Sequence, residues 1–208
     1  MRILIACEES QAVCIEMRRL GHEAYSCDIQ ECSGGHPEWH IKGDALELLK
    51  MKWDMIIAHP PCTYLSAAGA QRTFPKAGHA DPERYEKGEE AARFFSAFLN
   101  ADCEHIAVEN PVPMTCFGLP KYDQIIHPYM FGHPWHKRTC LWLKGLPPLF
   151  ATELVEPTGY WVQRSGQRAR DIKGGHRDPK LRSKTFPGIA RAMAEQWAGD
   201  IRDRSDAE

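Results

Sequence analysis

The chain has 208 residues, 43% of them hydrophobic and 26% charged, enough for one domain with its own core and little beyond it. Lys and Arg number 26 against 28 Asp and Glu, so the net charge of -2 excludes a protein that grips nucleic acid by bulk positive charge; such contact has to be a local patch. No apolar run approaches the ~20 residues of a membrane helix, and the apolar start Ile3-Leu4-Ile5-Ala6-Cys7 stops at Glu8 and Glu9, which removes the signal-peptide reading and predicts a cytoplasmic protein.

In chain order, Arg2 to Ala6 reads as a short buried strand, followed by a helix with Ala12, Val13, Ile15, Met17 and Leu20 at helical spacing until Gly21. Glu23 to Cys27 is a second strand ending in Asp28, Asp44 to Met51 a short helix with an acidic cap, and Trp53 to Ala58 a third strand. This β-α-β-α-β rhythm predicts a parallel sheet with helices on both faces. Residues 63 to 82, with Gly69, Gly78, Pro75 and Pro82 and little periodicity, read as a long mobile loop. A helix is predicted from Glu83 to Asn100 and a strand from His105 to Val108, closed by Glu109-Asn110-Pro111. Arg138 to Leu143 is a last strand and Pro187 to Ile201 a terminal helix. Residues 144 to 186 read as irregular, and Arg164, Arg168, Arg170, Lys173 and their basic neighbours in 164 to 184 form either a solvated loop or a phosphate-gripping arm.

Eight cysteines include no Cys-x-x-Cys pair, and a reducing cytosol leaves them as free thiols. His133-x-x-His136-x-x-x-Cys140 has no second ligand pair at metal spacing, so no metal is expected.

The sharpest motif is His59-Pro60-Pro61-Cys62 directly after an apolar strand. Two prolines fix φ, so the next side chain projects from the carboxyl edge of the sheet, where α/β proteins bind ligands; Cys62 is placed like a nucleophile. Val108-Glu109-Asn110-Pro111 brings a carboxylate to the same edge, where desolvation is expected to raise its pKa and make it a proton donor near neutral pH. A buried structural cysteine and a capping glutamate are the alternatives. A cysteine hydrolase would need a histidine base, and none is fixed near Cys62 by spacing.

These residues resemble the S-adenosylmethionine-dependent DNA cytosine-5 methyltransferases, in a small, phage-type variant. Pro60-Pro61-Cys62 is similar to the family's Pro-Pro-Cys, Glu109-Asn110-Pro111 to its Glu-Asn-Val, and Phe131 to Thr139 can be laid on its Tyr-Gly-Val-Pro-Gln-x-Arg-x-Arg. Thr185 to Ala194 looks like the closing segment, whose helix returns to the cofactor site.

The resemblance implies a Rossmann-like class I methyltransferase fold, with a catalytic core over 1–143, a short basic insert at 144–184 in place of a large target-recognition region, and a returning helix in 185–208. It implies methyl transfer from S-adenosylmethionine to carbon 5 of a flipped-out DNA cytosine, with Cys62 adding to carbon 6, Glu109 acting on N3, and Lys137 or Arg138 orienting Glu109 where the family has arginines. For the cofactor it implies Asp28 at the ribose, Ile29 on the adenine, Asp44 at the adenine amino group, Ala6 and Pro60 beside them, and Glu8 or Glu9 at the methionine ammonium. The family's glycine-rich first loop is replaced by Ala6-Cys7-Glu8-Glu9-Ser10-Gln11, where Ser10 could open the helix whose amides face the methionine carboxylate. Pro61, Ser66, Asn110, Arg164, Arg168, Arg170 and Lys173 are the expected substrate contacts, with a protein partner for target recognition left open. Two other readings stand beside this one: C5 modification of a free pyrimidine nucleotide or single strand, and a non-catalytic nucleic-acid-binding accessory protein.

Overall fold

A computed structural model describes residues 1–160 and 178–199. Its strands are β1 (Arg2–Ala6), β2 (Glu23–Asp28), β3 (His40–Lys42), β4 (Met55–Ala58), β5 (Ile106–Asn110), β6 (Gln124–Ile126), β7 (Trp135–His136), β8 (Thr139–Lys144) and β9 (Gly159–Tyr160). The helices are α1 (Ala12–Arg19), α2 (Ala45–Leu48), α3 (Ala70–Thr73), α4 (Pro82–Leu99), α5 (Pro179–Ser183) and α6 (Pro187–Met193), the last running into a π turn at Ala194–Ala198.

Seven strands form one sheet in the order β3-β2-β1-β4-β5-β8-β6. The first five are mutually parallel, and β8 runs antiparallel to both its neighbours. Strand parity divides the apolar side chains between the two faces, as a doubly covered parallel sheet requires. Ile3, Ile5, Met55, Ile57 and Ala107 pack with α1 and α6, through Val13, Met17, Ile189 and Met193. Leu4, Ala6, Ile56, Ala58, Ile106 and Val108 pack with α2 and α4, through Ala45, Phe95 and Phe98. The molecule is α/β with helices on both faces, as its periodicity predicts.

From β1 the chain steps out one way to β2 and β3, then returns to place β4 and β5 on the other side of β1. This reversal makes the carboxyl ends of β1 and β4 a topological switch point, where such sheets carry their ligand crevice. Because β8 is antiparallel to β5, with Cys140 opposite Asn110, it begins at the edge where β5 ends. That places Lys137, Arg138 and Thr139 at the same edge as Glu109.

Three expectations need correction. Residues 63 to 82 are not a free loop: they carry a 3-10 turn at Ala67–Gly69 followed by α3, and Leu65 and Thr73 are fully buried. Arg84 on α4 anchors the segment, donating to the Thr63 carbonyl at 2.8 Å and to Thr73 Oγ1 at 3.1 Å while lying over the Tyr64 ring. Asp81 caps α4 by accepting from the Arg84 amide at 2.8 Å, and Pro82 takes the first helical position, where its missing N–H costs nothing. Residues 144 to 186 are not irregular throughout, since β9 pairs in parallel with β7 and α5 follows. The last strand is shifted by one residue from its expected bounds, to Thr139–Lys144. Arg164, Arg168, Arg170 and Lys173 lie outside the described residues, as does the predicted end of the terminal helix at Ile201.

Candidate active site

The Cys62 turn is held from two sides. Asn110, 1% exposed at the end of β5, donates from Nδ2 to the Pro60 carbonyl at 2.7 Å. The Cys62 carbonyl accepts from the Leu65 and Ser66 amides, and residues 65–67 are tied to Val112 and Met114 by two further backbone bonds of 2.7 and 2.8 Å. Pro60 is buried, Pro61 exposed and Cys62 half-buried at the crevice. Asn110 and Ser66, expected against substrate, are therefore engaged internally, the Ser66 hydroxyl accepting from the Ala68 amide at 3.2 Å.

Strand register explains what faces Cys62. Ile57 is opposite Ala107 and Ala58 opposite Val108, so the next pair along both strands is His59 and Glu109, on the face that carries Ile57 and Ala107. His59 Nδ1 lies 3.2 Å from Glu109 Oε2, with side-chain exposures of only 9% and 16%. Burial alone would raise the Glu109 pKa; the hydrogen bond from His59, the charges of Lys137 and His59 and a hydrogen bond from Thr139 outweigh it and hold the pKa below the ordinary 4.5. The expected upward shift of Glu109 is thus reversed, because the apolar strand delivers the carboxylate to a cationic neighbourhood. Burial alone would likewise lower the His59 pKa, but the hydrogen bond and charge of Glu109 and the charge of Glu8 raise it above 6.5 against an opposing Lys137. Both shifts favour imidazolium facing carboxylate.

Cys62 belongs to the same electrostatic group. Burial first, and then the Glu109 charge, push its thiol up from the ordinary 9.0, while Lys137 and Arg182 pull the other way. The resting sulfur is a thiol, and its ionisation depends on what happens to the charge on Glu109. Lys137 is positioned by donating to the Arg182 carbonyl at 3.1 Å and by sitting over the Phe186 ring. Arg138, the other expected orienting cation, is exposed and biases His127 and Cys140, whereas Thr139 takes the place beside Glu109. Arg138 is exposed between a half-buried Lys137 and a buried Thr139.

The first loop departs furthest from expectation. Glu8 is buried and accepts the Val13 amide at 2.7 Å through one carboxylate oxygen and the Cys14 amide at 3.2 Å through the other. It therefore fills the anion seat at the start of α1 that a ligand carboxylate would use, and it is not open to an ammonium. Ser10 does not open the helix; Gln11 precedes Ala12 in a left-handed conformation with φ 59° and no side-chain cap. Glu9 accepts from the Ser33 hydroxyl, to which Lys184 also donates at 3.0 Å. Ala6 is sealed, its carbonyl taken by the His59 amide at 2.9 Å.

The loop after β2 lies across this turn, with Gln11 bridging Ser26 and the His36 backbone. A Cβ on Gly34 would stand 2.6 Å from the Ser10 carbonyl and 2.5 Å from Gln11 Cβ. Gly34→Ala is expected to lower stability by about 1–3 kcal/mol, read as a drop in melting temperature, since backbone has to shift to admit the methyl.

Asp28 ends β2 and bonds the Gln30 amide through one oxygen, Ile29 is 76% exposed, and Asp44 is exposed while capping α2 at the Leu46 amide. Cys7, with φ 60°, faces both carboxylates: burial first and then Asp28, Cys27 and Asp44 raise its thiol pKa. His133 Nε2 accepts from the Gly188 amide at 3.1 Å and His136 stacks on Tyr160, and among the described residues no group of three His, Cys, Asp or Glu could hold a metal ion.

The His59–Glu109 pair predicts a pH window. The raised His59 contributes stability that is fully present below 6.5 and is lost as pH rises through its folded pKa; the lowered Glu109 contributes above 4.5 and loses it as pH falls through its folded pKa. The melting-temperature gap between wild type and His59→Gln should therefore be widest between those values and narrow on both sides. A gap independent of pH would contradict the ion pair.

In comparisons with protein-family models and with curated proteins, the chain matches no family model and no curated sequence.

Proposed function

We propose that the chain transfers a methyl group from S-adenosylmethionine to carbon 5 of a cytosine in DNA through a covalent Cys62 adduct. One observation carries the reading: at the carboxyl edge of the sheet, beside the switch point, Glu109 lies close enough to Cys62 for its charge to hold the thiol up, while Lys137 acts on both. Carbon 5 of cytosine is not nucleophilic by itself. A sulfur bonded to carbon 6, with a proton donor on N3, converts the ring to an enamine that is.

The residues present fit the nucleoside half of the cofactor. Asp28 and Asp44 would take its hydroxyls and amino group, and the exposed Ile29 would cover the base. They do not offer the α1 amides to its carboxylate, because Glu8 holds them. When bound, the cofactor supplies an electrophilic methyl on a sulfonium. Everything else is done by the chain: the pinned Pro60-Pro61 turn aims Cys62, Asn110 fixes that turn to β5, and Lys137 and Thr139 orient Glu109. In a duplex the base has to leave the stack, at about a few kcal/mol, and the basic sequence around Arg164 to Lys173 is our proposed phosphate contact.

Among the described residues no helix is long and apolar enough to cross a membrane. A cytoplasmic setting is part of the proposal, since it keeps the Cys62 thiol reduced. The Glu8 cap favours one rival, a non-catalytic nucleic-acid-binding protein. Incubation with methyl-labelled S-adenosylmethionine and duplex DNA, single strands or dCMP decides between them. Label on carbon 5 of DNA cytosine supports the proposal, label on dCMP alone moves the substrate to a nucleotide, and no label together with no calorimetric binding of S-adenosylhomocysteine leaves the non-catalytic reading.

A further inference from the structure

Resting on that function, we propose that His59 is a positioning residue that holds, on the Nδ1 facing Glu109, the proton that Glu109 delivers to the pyrimidine ring, so that the couple and not the carboxyl alone is the acid of the reaction. Glu109 at rest is ionised and has no proton of its own to give. Among the described residues the imidazole bonded to it is that of His59, 3.2 Å away and nine-tenths buried. The groups that act on His59 come from three elements: Glu109 on β5, Glu8 after β1 and Lys137 after β7. Glu8 is fixed by the Val13 and Cys14 amides, which leaves Glu109 as the carboxylate bonded to the ring. Among the described residues His59 Nε2 is buried without a hydrogen-bond partner, whereas Nδ1 faces Glu109, so a proton held at Nδ1 passes to Glu109.

The steps balance. The proton leaves His59 Nδ1 for Glu109 Oε2, and the carboxyl hydrogen passes to ring N3. Glu109 is then a carboxylate again, paired with the protonated N3, whose positive charge offsets the influence that held the Cys62 thiol up; the thiol proton leaves to solvent and the sulfur pair bonds carbon 6. After carbon 5 has taken the methyl, its proton leaves to solvent and those electrons form the C5–C6 double bond. The C6–S bond breaks with its pair returning to sulfur, which takes a proton back from solvent to restore the thiol, and N3 returns its proton through Glu109 to His59.

The test reads the couple with and without turnover. In an NMR pH titration of labelled histidine, with His59 assigned by His59→Gln, its imidazole should titrate above 6.5 in the wild type and lower in Glu109→Gln, where the largest influences opposing burial are gone. A His59 that titrates below 6.5 in the wild type, or ignores Glu109→Gln, overturns the proposal. In turnover, wild-type transfer should decline as pH rises through the His59 pKa, while His59→Gln should be about 10²-fold slower and lack that limb. A variant that is slower at every pH yet keeps the limb shows a structural role and overturns it as well. Absence of transfer by the wild type counts against the function, whereas the NMR result bears on the couple alone.

Discussion

Cys62→Ser is expected to abolish methyl incorporation, by at least about 10⁴-fold, while leaving the fold in place. A serine hydroxyl ionises far less readily than a thiol and is a poorer nucleophile toward carbon 6, so the adduct that makes carbon 5 reactive does not form. The side chain is half-buried on a turn fixed by two prolines, by the Asn110 bond to the Pro60 carbonyl and by backbone bonds to residues 112 and 114. None of these depends on the sulfur. Label transfer measured beside a thermal melt separates the two effects: transfer lost with the melt within a few degrees is expected, and retained transfer refutes the role.

Glu109→Gln is expected to move two quantities in opposite directions. Transfer should fall by about 10²–10⁴-fold, because an amide has no proton to give N3. Cys62 should at the same time become more reactive, since burial and the Glu109 charge are the two largest influences raising its thiol pKa and the substitution removes the second while Lys137 remains. Peptide-resolved mass spectrometry of iodoacetamide labelling over a pH series reads this directly, apart from exposed thiols such as Cys116. Slower transfer with faster alkylation is the expected pattern. Slower alkylation would show that the carboxylate does not face the sulfur.

The elements that were legible in the sequence are those whose own side chains specify them. β1, β4 and β5 are apolar runs between polar stops, and α1 and α4 carry apolar residues at helical spacing. Asp44 was legible as a cap because the residue type suits the role wherever a helix follows. β3, β6, β7 and β9 have two or three residues each and exist through their neighbours' hydrogen bonds, which leave no periodic trace. Residues 63 to 82 look like a loop by their glycines and prolines, but Arg84 just beyond them and backbone bonds to residues 112 and 114 tie them down.

The site divides in the same way. Cys62 and Glu109 could be placed because one follows a readable strand and the other lies at the end of one. His59 was visible as a residue and not as a partner, since its place beside Glu109 is a matter of register between β4 and β5. Thr139 was read only as a missing arginine, although an antiparallel β8 starting at that edge brings it to the carboxylate. The inward turn of Glu8 follows from the left-handed conformation at Gln11, which returns the first amides of α1 toward the preceding carboxylate. No composition or spacing rule marks that turn.

The most direct measurement is intact-protein mass spectrometry after incubation with S-adenosylmethionine and an oligonucleotide carrying 5-fluorocytosine, whose fluorine cannot leave as a cation and so arrests the adduct before release. The account predicts a covalent protein–DNA species that maps to Cys62, requires the cofactor and is absent from Cys62→Ser. A protein that binds the oligonucleotide and cofactor yet forms no such species, or one whose adduct survives in Cys62→Ser, would contradict it.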